Sequence, residues 1–77
     1  MINKITRSLN FIKQTKRLDN FLLEKIKKII ENPEVGKPLK YYRGERTLYV
    51  KPFRLVYAIR QDEIILLKFE HRKNVYD

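Results

Sequence analysis

An α+β fold, an N-terminal helix hairpin packed on one face of a small antiparallel sheet, is predicted by three features of this sequence. Residues 48–76 hold three short runs rich in Ile, Leu, Val, Tyr and Phe, a composition that favours strand over helix. Lys51-Pro52 and Gln61-Asp62 interrupt those runs with turn residues, which makes them an antiparallel meander. The first half carries its apolar residues at spacings of three, four and seven, the period of a helix face.

Taken in order, residues 2–5 predict a short edge strand. Ser8 is placed to cap a helix bearing Leu9, Phe11, Ile12 and Thr15, and Asp19 to cap a second one. That second helix puts Leu22, Leu23, Ile26, Ile29 and Ile30 on one face and turns Glu24, Lys25, Lys27, Lys28 and Glu31 to water. Asn32-Pro33 ends it. The few residues around Arg17 and Leu18 are short enough to make the two helices an antiparallel hairpin. Residues 33–46 contain Pro33, Gly36, Pro38 and Gly44 and predict a surface loop.

The strands follow at residues 47–50, 53–60 and 63–69. Directly opposed residues of an antiparallel pair share a face. Pairing Ile59 with Ile64 therefore sets Tyr57 against Leu66, Leu55 against Lys68, Val56 against Leu67 and Arg54 against Phe69. A tight turn at Lys51-Pro52 sets Val50 against Phe53, Tyr49 against Arg54 and Leu48 against Leu55. One face then carries Leu48, Val50, Phe53, Leu55, Tyr57, Ile59, Ile64 and Leu66 as core. The other carries Tyr49, Arg54, Val56, Ala58, Ile65, Leu67 and Phe69. His71 continues that second parity as a diagonal neighbour of Arg54, with Lys51, Arg72 and Tyr76 in reach.

Seventy-seven residues make one domain, residues 1–77, whose core is too small to enclose a cofactor-sized cavity, so a surface groove is expected. With no cysteine and one histidine, the chain offers neither a disulfide framework nor a cysteine-based metal site. No cofactor is expected. No apolar run approaches the roughly 20 residues that span a bilayer, and residues 1–10 lack the apolar centre of a secretion signal. A soluble, cytoplasmic protein is the expectation.

Charge narrows the partners. Eighteen Lys and Arg against nine Asp and Glu leave a net charge of +9, which attracts phosphate backbones or an acidic protein; the plainer reading is a solvated lysine surface. Within residues 33–46, Lys37, Lys40, Arg43 and Arg46 interleave with Tyr41 and Tyr42. Cations that hold phosphates beside rings that stack on unpaired bases suit RNA, whereas a tyrosine that only anchors the loop on the core would not. No Gly-rich phosphate loop is present.

The order of the helix hairpin, NPEVGKPLK, FRLVY, IILLKF and terminal HRKNVY resembles the RelE/ParE superfamily of toxins from toxin–antitoxin pairs, over nearly the whole chain. The resemblance implies a compact α+β toxin held inactive by a cognate antitoxin in a hetero-oligomer. RelE-like members cut messenger RNA in the ribosomal A site, and ParE-like members poison DNA gyrase. By position, Arg54 is similar to the strand arginine that contacts the scissile region, Arg72 to the C-terminal arginine and Tyr76 to the tyrosine that closes the active site. The sequence departs from the best-known ribonucleases in offering one lysine, Lys51, where they have a richer basic segment.

Attack by a ribose 2′-OH requires a base, cations around the crowded phosphate and an acid for the departing 5′-oxygen. Arg54 offers a planar fork for two phosphoryl oxygens. His71 offers the side chain type that exchanges protons near neutral pH. Tyr76 would orient the base or nucleophile, and Lys51 and Arg72 would add positive field. Each has a plainer rival: His71 ends a strand, and Tyr76 packs. The RNA-binding set is Lys37, Lys40, Tyr42, Arg43 and Lys51, and no residue is assigned to a metal. A ribosome-dependent ribonuclease, a gyrase-directed toxin and a silent module that binds nucleic acid or an antitoxin all remain open.

Overall fold

A computed structural model describes residues 2–15, 20–40 and 43–71. The chain runs β1 (Lys4–Arg7), α1 (Leu9–Gln14), α2 (Asn20–Glu31), β2 (Lys37–Pro38), β3 (Glu45–Val50), β4 (Phe53–Arg60) and β5 (Glu63–His71). The strands form one five-stranded sheet in the order β1-β5-β4-β3-β2.

The sheet is mixed, which corrects the purely antiparallel expectation. β1 lies parallel to β5, with Lys4 opposite Glu63 and Arg7 opposite Leu66. The strand also starts later than residues 2–5 suggest. Parallel neighbours need a long crossover, and here everything between residues 8 and 62 serves as one. Asn3 N–H donates to Asp62 O at 2.9 Å, and Thr6 Oγ1 donates to Glu63 Oε2 at 2.6 Å, which ties the N-terminal strand to the start of β5.

Ser8 caps α1 as the sequence indicates, its Oγ accepting from Phe11 N–H at 3.0 Å. It also does something no capping rule anticipates. Pairing between β1 and β5 stops at Leu66, and beyond that point α1 covers the edge of β5. Ser8 N–H donates to Leu66 O at 2.9 Å, Ser8 Oγ donates to Leu67 O at 2.6 Å, and Gln14 Oε1 accepts from Phe69 N–H at 2.7 Å. One main-chain amide and two side chains thus take the place of a further strand on an edge that would otherwise invite another chain.

Both helices contribute to one core. Phe11 of α1 and Leu22 and Ile29 of α2 cluster with Val50, Leu55, Tyr57, Ile64 and Leu66, all on the sheet face predicted as core. The apolar stripe of α2 is narrower than the spacing suggests: Leu23 and Ile30 are exposed, while Ile26 packs at the margin of the cluster. At 100° per residue, positions 22, 26 and 29 fall within one narrow arc and 23 and 30 lie to its side. Asn32-Pro33 ends α2 as expected. The Asp19 cap and the turn of the helix hairpin lie outside the described residues. Among the described residues no helix is long and apolar enough to cross a membrane.

The β3–β4 register is the predicted one, Val50 opposite Phe53, Tyr49 opposite Arg54 and Leu48 opposite Leu55, across a turn with a cis Lys51-Pro52 bond. The β4–β5 register starts as predicted from Ile59 and Ile64 to Tyr57 and Leu66. It then shifts by one residue at Val56/Tyr57. Val56 faces Lys68, Leu55 faces Phe69, Arg54 faces Glu70 and Phe53 faces His71, so the pairings of Leu55 with Lys68, Val56 with Leu67 and Arg54 with Phe69 are overturned. Leu67 is the extra residue of a β-bulge. Its insertion changes the parity of all that follows, and Phe69 joins the core margin.

Residues 33–46 are more ordered than the surface loop expected of them. They contain β2, which pairs Lys37 with Thr47 and Pro38 with Arg46, and the first residues of β3. Tyr57 holds the approach to β2 from inside: fully buried, its hydroxyl donates to Pro33 O at 2.6 Å and accepts from Gly36 N–H at 2.9 Å. Arg46, directly opposite Tyr57 across β3 and β4, donates through Nη1 to Gly36 O at 2.7 Å and Glu34 O at 3.1 Å. A Cβ on Gly36 would stand 2.8 Å from the Tyr57 hydroxyl and 2.9 Å from Thr47 O, so only glycine lets the loop approach this closely.

Burial pushes the Tyr57 phenol above its ordinary value, while the Gly36 hydrogen bond and the Arg46 charge pull less strongly the other way. The folded protein therefore keeps a proton that the unfolded chain releases first. This contribution to stability is complete below about pH 10 and is lost as pH rises through the folded-state value. Tyr57→Phe should remove from the phenolate absorbance titration a step that lies above the ordinary phenol value. It should also lower stability at neutral pH by about 1–3 kcal/mol in denaturant melts, since Pro33 O and Gly36 N–H lose their partner.

Candidate nucleic-acid interface

The register sorts the polar side chains between the two faces of the sheet. On the face away from the core cluster, directly opposed residues form two rows across the strands. Lys37, Thr47, Val56 and Lys68 make one, and Tyr49, Arg54 and Glu70 make the next. A β4 arginine thus stands between an aromatic ring and a carboxylate, beside a row with a lysine at each end.

Arg54 is half-buried and its Nε is shielded from water, a costly place for a cation unless the charge is used or compensated. Tyr49 is 51% exposed, so its ring is available to stack. Glu70 is held from the edge, where Gln14 Nε2 donates to its Oε1 at 3.2 Å while the other end of the same amide binds Phe69 N–H. Thr47 Oγ1 is buried on this face with no hydrogen-bond partner among the described residues.

His71 lies on the other parity. It faces Phe53 across the strands and meets that ring edge-on at 5.4 Å between centroids, while Phe53 stacks on Phe69 at 4.9 Å. The expectation that His71 shares a face with Arg54 is therefore corrected, and the cause is the extra residue at Leu67. Glu70 takes the place opposite Arg54.

The remaining cations spread along β3. Lys51 is exposed in the turn after Val50, at the Arg54 end, whereas Lys40 and Arg43 are exposed before Glu45, at the other. Lys37 is exposed on the Arg54 face. Arg72, Tyr76 and Tyr42 lie outside the described residues. Sequence reasoning missed Lys68, which the unbroken alternation had set on the core face; the continuous apolar run Ile64-Ile65-Leu66-Leu67 does not mark where the period breaks. Among the described residues no three His, Cys, Asp or Glu side chains gather as metal ligands. A separate groove whose lining includes Ile2, Ile30, Asn32, Pro33, Ile59 and Gln61 opens at the far end of β4 from Arg54.

A five-stranded mixed sheet with two helices feeding one face and a cation-rich opposite face defines a small α+β protein of the RelE-like kind. Residues 2–76 match the family described as ParE toxin of type II toxin-antitoxin system, parDE. The chain belongs to that family, within the RelE/ParE superfamily of toxins. No curated protein matches the sequence. Among solved structures, the RelB–RelE antitoxin–toxin complex from Methanococcus jannaschii is similar at 26% identity and a TM-score of 0.70, over 94% of this chain and 95% of that one. YafQ from Escherichia coli strain BL21(DE3) matches with a TM-score of 0.78 at 16% identity over 100% of both chains. The intact E. coli RelBE complex matches with a TM-score of 0.73 at 17% identity, over 88% of this chain and 99% of that one. At identities this low, the E. coli likenesses establish the fold.

If the Arg54 face carries phosphate, Lys37 and Lys68 extend it across four strands. Changing both to Met should flatten the dependence of RNA affinity on salt by about 1.4 in the log–log slope, about 0.7 for each contact to single-stranded RNA. Fluorescence anisotropy over a salt series measures this, and an unchanged slope would move the interface off this face.

Proposed function

We propose that this toxin cleaves messenger RNA on the ribosome in the cytoplasm, with Arg54 as its phosphate clamp, and that an acidic antitoxin partner silences it. The carrying observation is the half-buried Arg54 in the middle strand of the sheet, opposite Tyr49 on one side and Glu70 on the other and beside the Lys37–Lys68 row.

Under this reading the Tyr49 ring stacks on an unpaired base and the Arg54 fork grips two oxygens of the scissile phosphate. The 2′-OH attacks phosphorus, its proton passes to the Glu70 carboxylate opposite Arg54, and the 5′-oxygen leaves with a proton from water. The products are a 2′,3′-cyclic phosphate and a free 5′-hydroxyl. Lys37 and Lys68 add positive field that favours the more highly charged transition state. His71, on the opposite face, has no proton-transfer step. Arg72 and Tyr76 keep the roles implied by the resemblance, the C-terminal cation and the ring that closes the site.

The antitoxin is supported by the solved relatives, since the M. jannaschii RelE and the E. coli RelE are each seen bound to RelB. It is supported too by the surface: Leu9 is 76% exposed and Ile12, Phe21 and Leu23 are also exposed on a chain of charge +9, which an acidic, partly apolar partner would cover.

Induced expression should arrest growth with cleavage of ribosome-bound messenger RNA, and co-expression of a small acidic partner should restore growth. With purified variants, Arg54→Ala and Glu70→Gln should each slow cleavage at least about tenfold, about 1.4 kcal/mol of transition-state stabilisation. His71→Gln should cleave like the parent. Growth arrest without RNA cleavage, accompanied by loss of gyrase supercoiling, would replace this reading by the gyrase-directed one.

A further inference from the structure

In the sequence Arg46 stands with Lys37, Lys40 and Arg43 among the cations that interleave with Tyr41 and Tyr42, although the RNA-binding set leaves it out. We infer that Arg46 is instead a positioning residue which, with Tyr57, holds the Lys37-bearing edge of the sheet in place for RNA and touches no phosphate itself. This rests on the reading that the Arg54 face binds RNA.

The register puts Arg46 and Lys37 on opposite faces of the sheet. Arg46 is directly opposite Tyr57 and shares the face of the core cluster, whereas Lys37 is opposite Thr47 and shares the face of Arg54. A guanidinium on the core side cannot join the row on the other side without leaving its partners. Those partners are specific: one nitrogen, Nη1, reaches Gly36 O and Glu34 O, while the Tyr57 hydroxyl reaches Pro33 O and Gly36 N–H. Two side chains therefore hold four main-chain groups of residues 33–36, the segment that leads directly into Lys37.

β2 itself is short. It has two residues in register with β3 and one further link, Leu39 N–H to Glu45 O at 2.9 Å. A strand of that length at a sheet edge does not set its own position. The absence of space for a Cβ at Gly36 shows how closely the segment is drawn onto Tyr57 and the β3 backbone. Lys37 is thus presented at the end of the Lys37, Thr47, Val56 and Lys68 row by contacts made on the opposite side of the sheet.

The test separates charge from position. Arg46→Met, Tyr57→Phe and Lys37→Met are compared by anisotropy with a labelled single-stranded RNA over a salt series, below each variant's melting temperature. Lys37→Met should lower the slope by about 0.7; Arg46→Met and Tyr57→Phe should each lower it by a similar amount, although only the first changes a charge, and Arg46→Met combined with Lys37→Met should lower it no further than Lys37→Met alone. Native-state hydrogen exchange should show the Leu39 amide exchanging faster in Arg46→Met and Tyr57→Phe while amides in β4 and β5 keep their protection. A further fall of about 0.7 in the double variant, a parent slope in Tyr57→Phe, or a Leu39 amide as protected as in the parent, overturns the inference and leaves the RNA reading standing. RNA binding by the parent that is absent or insensitive to salt overturns both.

Discussion

Between Leu66 and Lys68, β5 carries one residue more than β4 can match. Side chains of a strand alternate with period two, so one insertion exchanges the faces of everything beyond it. Before the bulge, Ile64 and Leu66 point to the core. After it, Phe69 does so, Glu70 comes opposite Arg54, and His71 turns to Phe53. The composition of the candidate site, and so the chemistry open to it, depends on this irregularity.

The bulge is stable because α1 meets it. Leu67 O accepts from Ser8 Oγ, and Phe69 N–H donates to Gln14, so polar groups along this stretch of β5 do not depend on β4 alone. The side chain that caps α1 is also a ligand of the bulge. Buried Phe11, three residues along from Ser8, then fastens the same short helix to the core. Local helix signal, edge protection and strand register are one arrangement.

At the other end of the sheet, Tyr57 reconciles two needs. As an aromatic residue it fills the centre of the core, and as a phenol it satisfies backbone groups of a loop that passes too close to be solvated. Arg46 works beside it, and the Gly36 backbone supplies both a donor and an acceptor to the pair. The face that carries Arg54 is therefore shaped in part by contacts on its reverse side.

Much of this was legible in residue order. The Ser8 cap, the stop at Asn32-Pro33, the turns at Lys51-Pro52 and Gln61-Asp62 and the β3–β4 register follow from local geometry, because each depends on residues a few positions apart. The family resemblance was legible for the same reason, being carried by short motifs in order. Tertiary structure alone decided the parallel seat of β1 beside β5, the pairing of Lys37 with Thr47, the loop held by Tyr57 and Arg46, and the bulge at Leu67. Each of these joins segments distant in the chain through main-chain groups that every residue possesses, so side-chain identity gives little notice of them. The sequence by itself determined that an arginine would interrupt an apolar strand on a basic protein; only the folded chain decided that Glu70 would stand opposite it, where unbroken alternation sets Phe69 with His71 on the diagonal.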